Sequence, residues 1–229
     1  AMIVPAPMYL AAEPLLLKMI EDGFFGDIVG VEVRGLGGIY KPEAPLHWRQ
    51  RKDFSGQNIM TLGILNETVR RYVGHEKHVL ANSATFTAER VESESGEARP
   101  VDVPDSLGVL AEMQSGAQAV YHLSSVARLG DGSTFELYGT KGSFKMEGGS
   151  AIEPGRVWIA GAGDTSYRQL EVPELPRNGW RVEEDFVDAI LQERPVTHTH
   201  FDDGVLYMQF TEAVQVSLSE GRKVVLDEL

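Results

Sequence analysis

The stretch Thr134–Glu147 (TFELYGTKGSFKME) alternates apolar and polar residues on both sides of Thr140-Lys141-Gly142. Period-two alternation marks a half-buried strand, and Thr-Lys-Gly is turn chemistry, so the pattern predicts strands at Thr134–Tyr138 and Ser143–Glu147 joined by a turn. The same texture extends outward. His78–Arg90, Leu107–Gln114 and Gln118–Ala127 read as extended, with Asp131-Gly132 as a turn, and Val157–Ala160 and Tyr167–Val172 follow as further strands. Strands in succession with no helix between them argue for an antiparallel sheet. Asp27–Arg34 (DIVGVEVR) adds an earlier half-buried strand, and Lys223–Leu226 a last short one. Helical patterns lie at the two ends: Pro14 to Gly23, Gln57–Val73 closed by Gly74, Trp180–Glu193, and Asp203–Ser219 closed by Gly221. Leu16, Leu17, Ile20 and Phe24 form the apolar stripe of the first helix. Val182, Phe186, Val187 and Ile190 form that of the third, for which Asn178 is the expected N-cap. The predicted class is α+β, a large, mostly antiparallel open β-sheet with helices covering one face.

Composition excludes several functions. The 229 residues carry 21 Lys+Arg against 34 Asp+Glu, a formal net charge of −13, and a surface of that sign repels nucleic-acid phosphates and anionic membranes. The densest basic stretch is Arg49–Lys52 (RQRK). With no cysteine there is no disulfide framework, thiolate zinc site or Cys nucleophile. No apolar run approaches a membrane span, and the opening residues lack the form of a signal peptide.

The motif search is mostly negative. A dinucleotide site needs a strand, Gly-x-Gly-x-x-Gly and then a helix. Gly35-Leu36-Gly37-Gly38 and Gly161-Ala162-Gly163 follow strands, but neither opens a helix. His198-Thr199-His200 has no convincing third metal ligand and reads as a loop before a helix. Glu183, Glu184, Asp185 and Asp188 suit the positive end of a helix dipole. Residues 36–54 form a long irregular segment with Trp48 and the basic cluster, and a loop that long points to function. In the Gln57–Val73 helix, Asn58, Thr61, Leu65 and Thr68 share a face, Glu67 can pair with Arg71, and Gly63 implies that a backbone or a ligand approaches closely.

Ser55–Gly74 (SGQNIMTLGILNETVRRYVG) resembles the signature helix of the Gfo/Idh/MocA family of NAD(P)-dependent oxidoreductases. Ile20–Val33, Phe135–Lys145, Glu184–Pro195 and Asp203–Gly221 resemble further family segments, in family order. The resemblance implies the α+β domain that follows a Rossmann domain. Residues 1–10 would be the remnant of that junction, and residues 11–229 the substrate-binding and oligomerisation domain. It also implies a cytoplasmic enzyme that uses NAD or NADP on a sugar-like or polyol substrate, and a homo-oligomer formed through the open sheet face. No nucleotide is expected to bind this chain alone.

Two positions depart from the family. Many members carry an Asp and, four residues later, a His that act on the substrate hydroxyl. Here these are Thr61 and Leu65, and leucine cannot transfer a proton. The expected substrate contacts are Tyr40, Arg49, Asn58 and Thr61, with His47 as the acid/base candidate. The plainer roles are packing for Trp48 and, for Arg49, a helix cap or a pair with Asp53. A shortened, non-catalytic binding or assembly module on the same fold is the alternative, and a hydrolase or lyase using the same pocket is a third option.

Overall fold

The computed structural model describes residues 1–6, 10–37, 43–56, 59–130, 132–149, 155–174, 180–192, 194–196 and 199–229. In chain order the elements are α1 (Glu13–Glu21), β1 (Ile28–Leu36), α2 (Lys52–Ser55), α3 (Leu62–Val73), β2 (Glu76–Ala84), β3 (Glu89–Val91), β4 (Ala98–Pro100), β5 (Ser106–Met113), β6 (Gln118–Ser124), β7 (Gly132–Gly139), β8 (Gly142–Glu147), β9 (Arg156–Gly161), β10 (Arg168–Leu170), α4 (Val182–Leu191), α5 (Phe201–Glu220) and β11 (Val224–Val225).

The hairpin predicted at Thr134–Glu147 forms as β7 and β8, with Phe135 opposite Met146 and Leu137 opposite Phe144. It belongs to a nine-stranded sheet ordered β10-β9-β8-β7-β1-β6-β5-β2-β11. The class is α+β and the sheet is mostly antiparallel, but it is mixed: β1 lies parallel to β6, with Val33 opposite Tyr121 and Leu36 opposite Ser124. That pairing is non-local, because β1 inserts between strands that follow it by more than eighty residues. Alternation along one strand carries no information about such a neighbour.

One sheet face holds the core. Val31, Val33, Val79, Val109, Tyr121, Phe135, Leu137 and Phe144 are buried there against Leu65 and Val69 of α3 and Phe210, Ala213 and Val214 of α5. Gly63 matches its sequence reading, because Tyr207 and Thr211 of α5 would lie 3.4 and 3.6 Å from a Cβ placed on it. The opposite face carries the row Leu80, Leu110, Val120, Glu32, Glu136, Lys145, Trp158. Its apolar end is open to solvent, with Leu110 58% exposed.

Four expectations need correction. The pattern at His78–Arg90 is two strands, because residues 85–88 leave the sheet and β3 pairs with β4 in a separate two-stranded arm. In α1 the buried pair is Leu16 and Met19, while Leu17 is exposed. The α4 stripe forms, but Phe186, Val187 and Ile190 are exposed and no α4 residue is buried. The signature helix begins at Leu62, preceded by a 3₁₀ turn at Ile59–Thr61 whose Met60 and Thr61 have φ of 47° and 63°. The expected N-cap Asn178 lies outside the described residues.

Two buried polar clusters lock α3 in place. Glu67 binds Arg71 through three contacts of 2.7–3.0 Å, accepts the Ala6 N–H at 3.2 Å and accepts the Thr199 hydroxyl at 2.9 Å. Farther along, Glu76 accepts from the Tyr121 hydroxyl at 2.8 Å and the Asn66 amide at 2.5 Å. Burial pushes the Glu76 carboxyl up, opposed by Tyr121, Arg70 and Asn66. A cleft of about 320 Å³ runs along Glu13, Glu67, Arg70, Arg71, His75 and Asp203. Its charges are largely satisfied by one another, so it reads as a structural ion-pair network.

Candidate functional site

The parallel pair creates the site. Because β1 and β6 run the same way, their C-terminal ends meet at one sheet edge, beside the start of antiparallel β7. On the core face, the large row Tyr121, Val33, Phe135 gives way to Leu123, Gly35, Ser133. Gly35 has no side chain and Ser133 a small one, so the layer hollows. The result is a cavity of about 530 Å³ floored by Gly35, Leu36, Leu123 and Ser124. The 3₁₀ turn before α3 covers it with Met60 and Thr61 and the first turn of α3 with Leu65, while His47 and Arg49 close one side.

The segment carrying His47 is held by the β3–β4 arm and the chain just after it. Gln50 is buried, and its carbonyl accepts the N–H groups of Asp102 and Val103 at 3.2 and 3.3 Å. Leu46 N–H donates to Val91, Arg90 donates to the Ala44 carbonyl, and Arg51 binds Glu92 at 2.8 Å. The turn is closed locally: His47 N–H donates to the Gln50 side chain at 3.1 Å, and Arg49 N–H donates to His47 Nδ1 at 3.2 Å. With Nδ1 accepting, the neutral imidazole carries its proton on Nε2. Partial burial, and then the charge of Arg49, lower the His47 pKa below the usual imidazole range, so the ring is neutral at pH 7.

Arg49 neither caps a helix through its side chain nor pairs with Asp53. Arg51 takes that aspartate, at 2.6 and 3.1 Å, while the Arg49 guanidinium lies 4.1 Å over the Trp48 ring. Trp48 is half exposed rather than packed in the core. At the cavity roof, Met60 and Thr61 both have left-handed backbones. A β-branched residue rarely adopts that region, at a cost of about 1–3 kcal/mol. The Thr61 hydroxyl donates to the Met60 carbonyl at 2.5 Å and does not cap α3.

His47, Arg49 and Thr61 therefore line one cavity, and Leu65 lines it too. Tyr40 and Asn58 lie outside the described residues. Leu36, Leu123, Ser124, Ser125 and Ser133 also line the cavity and had no sequence signal of their own, since strand register alone brings them together. His200 stands at the N-cap of α5 with its N–H bound to Asp203, and no metal-binding group of three or more His, Asp or Glu occurs among the described residues.

Residues 15–145 match the family model described as the GFO/IDH/MocA C-terminal domain, more than half of the chain. This chain belongs to the Gfo/Idh/MocA C-terminal domain family. No curated protein matches it. Among solved structures, this Gfo/Idh/MocA domain is similar to an NAD binding oxidoreductase from Klebsiella pneumoniae, with 20% identity and a TM-score of 0.81, covering 94% of this chain and 63% of that one. Levoglucosan dehydrogenase in complex with NADH and L-sorbose is similar at 23% identity and a TM-score of 0.81, with 95% and 64% covered. The transcriptional regulator Gal80p from Kluyveromyces lactis is similar at 17% identity and a TM-score of 0.75, with 96% and 60% covered. The chain spans less than two thirds of the length of each, and at these identities the likeness is one of fold.

Among the described residues, no glycine-rich turn after a strand opens a helix in the manner of a Rossmann-type dinucleotide site. Gly35 and Gly37 lie at the end of β1, where the Gly37 N–H donates to Ser124, and Gly161–Gly163 turns from β9 toward β10. Gly161–Gly163 leads to β10 and not into the helix N-terminus that a pyrophosphate needs. Among the described residues, no helix is long and apolar enough to cross a membrane.

Proposed function

We propose that the 530 Å³ cavity is the substrate site of an NAD(P)-dependent oxidoreductase acting on a sugar or polyol, whose nucleotide is held by a Rossmann domain outside this chain. The reading rests on one observation: Thr61 and Leu65, at the positions of the family's proton-transfer pair, share a cavity with His47 and Arg49. Serine hydroxyls and apolar walls suit a polyol, which presents both hydroxyls and C–H faces. The chain's part is to bind and orient the carbon that exchanges hydride. His47, with its proton on Nε2, serves as a donor to a substrate oxygen. To take the hydroxyl proton itself, the ring must first release the Arg49 N–H from Nδ1.

Residues 11–229 also serve assembly on this reading. The exposed α4 face of Phe186, Val187 and Ile190 suits the partner domain, and the apolar patch of Leu80, Leu110 and Val120 suits a second copy. Light scattering should therefore give a mass of at least twice 25.2 kDa, and a monomer at high concentration counts against the sheet-face assembly.

The site reading is tested by titrating the labelled chain with D-glucose and D-sorbitol under amide NMR. Shifts should cluster at Leu36, Thr61, Leu123 and Ser125. Shifts confined to the opposite sheet face, or none at all, would overturn it. A non-catalytic binding module is the second reading. It is favoured by Leu65, which leaves the family's proton-transfer pair incomplete, and hydride transfer by a chain joined to a nucleotide domain separates the two.

A further inference from the structure

We propose that the substrate is a sugar acid whose carboxylate is bound by Arg49 at the rim of the cavity. This rests on the reading of the cavity as a sugar site and adds the chemical class of its occupant.

The first argument is charge. The chain carries a formal net charge of −13, yet the described lining of this cavity contains no acidic side chain. A neutral polyol is commonly gripped by carboxylates, which accept from its hydroxyls. A cavity without them does not repel an anion locally.

The second is the state of Arg49. Arg34, Arg51, Arg70 and Arg71 each hold a glutamate or aspartate. Arg49 has no carboxylate partner among the described residues, although Asp53 is four residues away and is taken by Arg51. Instead the Trp48 ring holds the guanidinium at 4.1 Å. An aromatic ring takes up none of the guanidinium's hydrogen-bonding capacity for a carboxylate, and its N–H fork matches the two oxygens of one. The arginine is pre-positioned, with no carboxylate on it among the described residues.

The third is the layout. Leu36, Met60, Leu65 and Leu123 make the interior apolar, whereas Arg49 is exposed at its edge. A ligand with a hydroxylated carbon body and one terminal anion fits that gradient. The uncapped first turn of α3, beside Thr61, adds positive potential on the same side. His47 supplies an independent readout. The charge of Arg49 helps to hold its pKa down, so an anion on Arg49 must raise it.

The test titrates the full chain with D-glucuronate, D-glucose and D-glucose 6-phosphate, following the amides of Leu36, Thr61 and Ser125 and the His47 ring by NMR. Glucuronate should bind at least tenfold more tightly than glucose and raise the His47 pKa. Arg49→Leu should abolish the preference, bringing glucuronate affinity down to that of glucose in the same variant. Arg49→Lys, which keeps the charge without the fork, should fall between. Equal affinity of the wild-type chain for glucuronate and glucose overturns the carboxylate assignment and leaves the sugar reading standing. Tighter binding of glucose 6-phosphate than glucuronate overturns it in favour of a phosphate. A preference that survives in Arg49→Leu removes Arg49 from the role. If no sugar moves the cavity amides, both readings fall.

Discussion

Glu67→Ala lowers the unfolding free energy by about 3–5 kcal/mol, the cost of leaving a buried charge without its partner. Glu67 is only 7% exposed and joins three separate parts of the chain. It holds Arg71 one helical turn on, the N–H of Ala6 in the opening segment, and the hydroxyl of Thr199 just before α5. Alanine removes the acceptor for all three and leaves Arg71 with Glu13 alone, at 3.5 Å. Ala6 and Thr199 donate to different oxygens of Glu67, so Glu67→Gln keeps an acceptor for one of them and loses the charge, and its loss is smaller than that of alanine. Adding Arg71→Met to Glu67→Ala removes the orphaned cation and recovers part of the stability. Urea unfolding of the four proteins checks the order. A loss below about 1 kcal/mol for Glu67→Ala would show that water reaches Arg71 and that the clamp contributes little.

Phe210→Ala costs about 3–5 kcal/mol, whereas Phe186→Ala stays within about 0.5 kcal/mol. Both are phenylalanines in the two C-terminal helices. Phe210 of α5 is fully buried, its ring 5.2 Å from that of Tyr121, at the centre of the contact between helix and sheet. α5 is held there further on by the Ser217 hydroxyl, which accepts the Ala81 N–H of β2 at 2.9 Å. Truncating Phe210 leaves a cavity whose walls cannot collapse, because the sheet strands on one side are fixed by their ladders. Phe186 of α4 is 42% exposed, so its removal sacrifices few contacts. Thermal and urea unfolding of the two variants decide this. Equal losses would mean that the α4 face is already covered in the isolated chain and is not open to a partner domain.

That pair of residues shows where sequence reading stops. Helical patterns mark α4 and α5 alike, and both helices form. A stripe records that a helix can bury a face, not that this chain holds the surface to bury it against. The signature helix makes the same point at its start. The pattern over Gln57–Val73 runs through Met60 and Thr61 without a break, yet both adopt left-handed backbones and α3 begins at Leu62. Those two residues sit over the cavity, where tertiary contacts override local preference.

From the sequence alone came the class, the hairpin of Thr134–Glu147, the family resemblance and the pairing of Glu67 with Arg71. Each depends on residues close in the chain, or on a pattern repeated along it, which solvent and backbone geometry read locally. His47, Arg49 and Thr61 were also singled out there, though not the cavity that unites them. Tertiary structure alone decided that β1 inserts parallel to β6, that the row Leu123, Gly35, Ser133 hollows the layer beside Phe135, and that Arg51 rather than Arg49 takes Asp53. These depend on strand register and on competition between distant partners. A one-residue slip would turn each strand's opposite side to the cavity, so the site exists only once the whole sheet has chosen its order.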